Sequence, residues 1–144
     1  MSAFFIIDTN VVVAGLLTAH ADSPVARILD GMLSATFAFV VSEALLAEYR
    51  TVLLRPKLCK LHGLTEPEVD TILTDIARHA IVLAPSNGPN MTPIAPDPGD
   101  QFLWGLLHTR ADLVLVTGDK LLLADLAMQQ RVILPQAFIA QLTH

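Results

Sequence analysis

Ala3-Phe4-Phe5-Ile6-Ile7-Asp8-Thr9-Asn10 places an unbroken apolar run directly before an acid and two more polar residues, after which Val11 to Leu17 turns apolar again. A short apolar run rich in aromatic and β-branched residues, closed by polar ones, is the pattern of a strand buried on both faces. It recurs at Phe37 to Val41, Ile81 to Ala84, Leu113 to Val116 and Val132 to Leu134. Helical periodicity fills the intervals at Pro24 to Leu33, Glu43 to Leu54, Glu66 to Arg78, Gln101 to Arg110 and Lys120 to Met128, with Ser23 and Thr65 placed as N-caps. Short apolar strands alternating with helices predict an α/β fold, a mainly parallel five-stranded sheet covered on both faces. Pro85 to Gly99 carries five prolines and two glycines. That segment is expected to be a crossover or site loop.

The 144 residues are expected to form one domain over residues 1–144, burying about two-thirds of the unfolded surface. A hydrophobic share of 53% and a mean hydropathy of +0.55 can fill a large core and leave apolar surface for a subunit or partner interface. Asp8 and Asn10 interrupt the richest apolar stretch, which argues against a membrane helix. The absence of a basic residue in that stretch argues against a secretory signal. Cys59 is the single cysteine, so no internal disulfide is expected; a structural thiol fits a reducing cytoplasm.

A net charge of -5 looks unsuited to binding phosphates. Distribution matters more than the sum, because acids gathered around cations reverse the local field. Open parallel sheets bind ligands at the carboxyl ends of their strands. Asp8 follows the first strand there, and Asp119 follows Leu113 to Val116 through Thr117-Gly118. If the two strands are neighbours, the carboxylates converge. Either acid could simply cap the next helix. Asp8, however, adjoins a very apolar segment with no Lys or Arg within a dozen residues, and a metal ion would supply the missing counter-charge. Glu48 shares a helix face with Ala44, Leu45, Thr51 and Val52, opposite Glu43 and Arg50. Asp97 and Asp100 precede the helix near Gln101, where an N-cap and first-turn role would also suit them.

Asp8-Thr9-Asn10, Glu48 within Leu45-Leu46-Ala47-Glu48-Tyr49, Asp97-Pro98-Gly99-Asp100-Gln101-Phe102-Leu103 and Thr117-Gly118-Asp119 together resemble the ordered acidic motifs of PIN domains. The resemblance covers essentially the whole chain and is closest to the stand-alone PIN toxins of bacterial toxin–antitoxin pairs. It implies a three-layer α/β/α sandwich and a ribonuclease using Mg²⁺ or Mn²⁺. It also implies an RNA substrate, a cognate antitoxin and a homodimer. By motif position Asp8, Glu48, Asp100 and Asp119 would be the catalytic metal-site acids and Asp97 an auxiliary ligand. Asn10 and Thr117 would orient carboxylates or the scissile phosphate. Many relatives carry a third acid where Gly99 stands, which leaves open whether Asp97 or Asp100 lies closer to the metal.

Hard divalent cations prefer oxygen ligands, so a set of acids suits one or two such ions. Arg50, Arg55, Lys57 and Lys60 form the densest basic group and could hold phosphates; a solvated or antitoxin-binding face is the equal alternative. His20, His62, His79, His108 and His144 lack metal-ligand spacing, and Trp104 reads as core. Two other readings compete. One is a catalytically silent module that binds RNA or a protein. The other is a phosphohydrolase of the haloacid-dehalogenase kind, which needs a second Asp where Asn10 stands.

Overall fold

A computed structural model describes residues 4–85 and 94–142; Ala3, residues 86–93 of the proline-rich segment and His144 lie outside the described residues. The chain runs β1 (Phe4–Ile7), α1 (Thr9–Leu17), α2 (Pro24–Ser34), β2 (Val40–Val41), α3 (Glu43–Leu53), α4 (Pro56–His62), α5 (Glu66–His79), β3 (Ile81–Val82), α6 (Gln101–His108), β4 (Leu113–Val116), α7 (Lys120–Leu123), β5 (Val132–Ile133) and α8 (Pro135–Leu142). Short 3₁₀ turns stand at Pro98–Asp100 and Gln129–Arg131. Among the described residues no helix is long and apolar enough to cross a membrane.

β4 lies between β1 and β5, all parallel, with Ile7 opposite Val116 and Val116 opposite Ile133. All five strands form, but the expectation of one five-stranded sheet is corrected. β2 and β3 make a separate parallel pair, joined to β1 through a single bridge between Phe5 and Phe39. The cause is local. The residues lost from the expected strand are at its N-terminal end: Phe37 lies in a bend after α2 and Phe39 meets Phe5 only as an isolated bridge, so Val40 and Val41 alone enter the pair. β3 is also not the buried strand expected, since Ile81 and Val82 are 37% and 56% exposed at the sheet edge.

Phe5, Ile6 and Ile7 are consecutive and all buried, so both faces of the three-stranded sheet are covered. Tyr49, Trp104, Phe39 and Phe138 are the largest side chains in the core. Gly15 brings α1 against α2; a Cβ there would stand 2.6 Å from the Val25 carbonyl oxygen. α1, α4 and α8 add to the five helices expected, while α7 stops at Leu123, well short of Met128. Asp125 breaks it by accepting the Ala127 amide at 2.9 Å, a local turn that competes with the helix. Beyond that turn Arg131 reaches back to the carbonyls of Leu107, Arg110 and Leu113, tying the end of α6 to the start of β4.

His62 and Cys59 are structural. The Leu64 amide donates to His62 Nδ1 at 2.9 Å, which leaves Nε2 as the protonated nitrogen that donates to the Leu53 carbonyl at 2.8 Å. The Cys59 thiol faces the same carbonyl at 3.6 Å.

Candidate active site

The acids converge because β1 and β4 are neighbours. The Asp8 amide continues their ladder by donating to the Val116 carbonyl at 3.0 Å. Asp8 then caps α1, its Oδ1 accepting the Thr9 amide at 2.7 Å. Its Oδ2 accepts the Thr117 hydroxyl at 2.8 Å and the Asn10 amide nitrogen at 3.0 Å. A carboxylate offers about four acceptor positions. Three are filled, and the fourth lies on Oδ1.

Thr117 is fully buried, and its hydroxyl is used completely. It donates to Asp8 and accepts from Asn10 Nδ2 and the Asp119 amide, each at 3.0 Å. The Asn10 amide is locked as well, with Oδ1 accepting the Gly118 amide at 3.0 Å. Both residues thus hold the Asp8 carboxylate. Thr117 has no donor left for a phosphate.

Glu48 is half-buried on α3 and accepts the Thr9 hydroxyl at 2.5 Å. Thr9 enters the sequence motif without a role, and its reach to a residue 39 positions away has no local signal. The next residue, Tyr49, is wholly buried and donates its hydroxyl to the Ile7 carbonyl, fastening α3 to the end of β1. Burial, then the charges of Asp8 and Glu48, hold the Tyr49 phenol well above its usual range, so it stays a donor.

Asp8, Glu48, Asp100 and Asp119 line one open cavity of about 520 Å³. Asp97 does not. It caps the 3₁₀ turn before α6, accepting the Gly99 amide at 2.9 Å, and Asp100 is the one of the two that lines the cavity. Burial raises the Asp8 carboxyl above its ordinary value, against the lowering effect of the Thr117 and Thr9 hydrogen bonds; Glu48 and Asp119 raise it further. Asp100 is pushed up to about 6 by burial and then by Asp8, Asp119, Asp97 and Glu48. Among the described residues the ion pairs lie elsewhere, and no three acids or other ligating side chains converge closely enough to enclose an ion.

The basic group divides. Arg55 lines the cavity beside Glu48 and Val52. Arg50 turns toward α5, pairing with Glu66 at 2.6 Å and Asp70 at 2.8 Å. Lys57 and Lys60 are exposed on α4 and are not part of the cavity wall.

No curated protein matches the chain. The family model described as the PIN domain matches residues 5–121, a span that holds every acid of the cavity and ends at the first turn of α7. Proteins with this domain are generally nucleases that bind and hydrolyse nucleic acid. A match over most of the sequence shows that the chain belongs to the PIN-domain family.

Proposed function

We propose that this protein is a metal-dependent endoribonuclease, the toxin of a toxin–antitoxin pair. The observation that carries the reading is the cavity itself, lined by Asp8, Glu48, Asp100 and Asp119 with, among the described residues, Arg55 as its one basic residue. A buried carboxylate without a cation partner is costly, and the raised Asp8 and Asp100 express that cost. The donor set is all carboxylate oxygen, which suits Mg²⁺ or Mn²⁺ over softer metals. Mg²⁺ keeps several of its waters and takes only a few carboxylates, so it does not require the acids to enclose it. When bound, such an ion supplies an activated water and neutralises charge on the phosphate.

The chain's own residues do the positioning. Asp8 presents the open acceptor site on Oδ1, held from the other side by Thr117 and Asn10. Thr9 holds Glu48, and Arg55 can pair with a phosphate entering over Glu48 and Val52. Asp100 and Asp119 close the opposite wall, with Asp97 as an outer charge. The toxin, antitoxin and homodimer roles rest on the resemblance of the motifs. Leu121 and Leu126, 64% and 84% exposed, are apolar surface suited to a partner or second copy. A cytoplasmic setting accords with the lone cysteine.

Purified protein is expected to cleave single-stranded RNA with Mn²⁺ or Mg²⁺, and Asp8→Asn to abolish cleavage while still melting cooperatively. Metal-dependent cleavage surviving in both Asp8→Asn and Asp119→Asn would overturn the assignment. The loosely spaced acids favour one second reading, a silent module binding RNA or a protein. Calorimetry that finds no heat of Mn²⁺ binding to folded protein would select it.

A further inference from the structure

A second cavity of about 460 Å³ lies on the other side of Asp119 and Asn10, and it differs from the first in kind. Its wall is Val11, Ala14, Val25 and Pro135, with no Lys, Arg, Glu or His. Asn10, Ala14 and Asp119 line both cavities, so the apolar slot and the acid cluster open onto a common edge. We propose that this slot is a nucleobase subsite. It receives the base of a nucleotide next to the phosphate held at the acids.

The occupant follows from continuity and chemistry, and the inference rests on the nuclease reading. A single-stranded nucleic acid laid with a phosphate at the carboxylates must place its bases to one side or the other. One side is acidic and polar, and the other is an apolar slot large enough for an aromatic ring. Pockets that bury a flat ring are lined mainly by apolar side chains with a few placed polar groups, which is the make-up of this slot. Size is set by Val25 on α2 and by Pro135, which opens α8.

The rim also imposes a preference. Both Asn10 Nδ2 hydrogens are spent on Asp8 and Thr117, so toward the slot Asn10 offers only its carbonyl oxygen. Asp119 offers only carboxylate oxygen. An acceptor-only rim favours bases that present an exocyclic amine, as adenine, cytosine and guanine do. Uracil presents one N–H flanked by two carbonyls and fits worst. Cleavage is therefore expected to be depleted, by several-fold, where uracil occupies this position.

The test titrates the four nucleoside monophosphates into wild-type protein with Mg²⁺ and follows backbone amide NMR shifts. A parallel assay sequences the cleavage products of a random RNA pool. Shifts at Val11, Val25 and Gly118 are expected, larger with adenosine, cytidine and guanosine monophosphates than with uridine monophosphate. Val25→Phe, which fills the slot, is expected to lose the shifts at Val11 and Gly118 and the bias against uracil; Val25→Ala keeps the slot and both signals. Shifts confined to residues around Glu48 and Asp100, or an unchanged bias in Val25→Phe, would overturn the subsite and leave the nuclease reading intact. Shifts in the slot with no RNA cleavage would uphold the subsite and overturn the nuclease reading instead. If Val25→Phe does not fold, the wild-type titration alone decides.

Discussion

Replacing Asp100 by Asn should make the metal-free protein more stable at neutral pH. The carboxyl rises from an ordinary 3.8 to about 6 because burial and four neighbouring acids disfavour its charge. Between those two values the folded protein binds the proton more tightly than the unfolded chain does. Stability from this group is thus fully present below about 3.8 and is lost as pH rises through about 6. At face value the displacement corresponds to ~3 kcal/mol. Asp100 is partly exposed, and solvent screening reduces the realisable effect to ~1 kcal/mol. Asn has the same shape and no charge to lose. In thermal melts followed by circular dichroism in EDTA, wild type should lose Tm as pH rises from about 4 through about 6 and level off above that. Asp100→Asn should show a flatter profile and melt roughly 3 °C higher at pH 7.5. Added Mg²⁺ should raise the wild type more than the variant. An equal pH slope in both proteins, or a lower Tm for the variant at pH 7.5, would refute the reasoning that burial and the neighbouring acids disfavour the Asp100 charge.

Thr117→Val keeps the shape of a fully buried residue but strands the Asp119 amide and loosens Asp8, so it should lower stability by about 1–3 kcal/mol by denaturant titration. Its Mn²⁺ affinity by calorimetry should fall about 10–100-fold. Gly15→Ala pushes a methyl to 2.6 Å from the Val25 carbonyl and should cost about 1–3 kcal/mol in the same titration; a neutral result would mean that α1 and α2 separate easily. Arg55→Ala should weaken RNA binding and reduce its salt dependence by about one unit of slope. Arg50→Ala should change neither, because its guanidinium is held by Glu66 and Asp70.

Legibility in the sequence followed the range of the interactions. Strands β1 and β4 declare themselves because each is one apolar run closed by a polar turn, and their acids follow by position alone. Glu48 was readable from its helix face. The capping behaviour of Asp97 was readable too, and the structure bears it out beside the role of Asp100 in the cavity. What escaped were contests between neighbours. Phe37 to Val41 has the apolar content of a longer strand, yet the bend at Phe37 leaves only Val40 and Val41 to pair. Lys120 to Met128 has helical periodicity, yet Asp125 forms its own turn. The link from Thr9 to Glu48, and the commitment of Arg50 to α5, join residues far apart in sequence and leave no periodic trace.

Tyr49 and Thr9 together make α3 and the end of β1 one mechanical part. The phenol grips the strand's last carbonyl, and one residue away Glu48 is gripped by the hydroxyl that follows Asp8. The gap between Asp8 and Glu48 is then a fixed jaw, unable to widen without breaking two tethers. Asp100 has no such tether on its carboxylate among the described residues and rides on a 3₁₀ turn of three residues. On the proposed nuclease reading, adjustment of the acids to an ion or a phosphate would fall to the short turn ahead of α6 and not to the tethered end of the sheet.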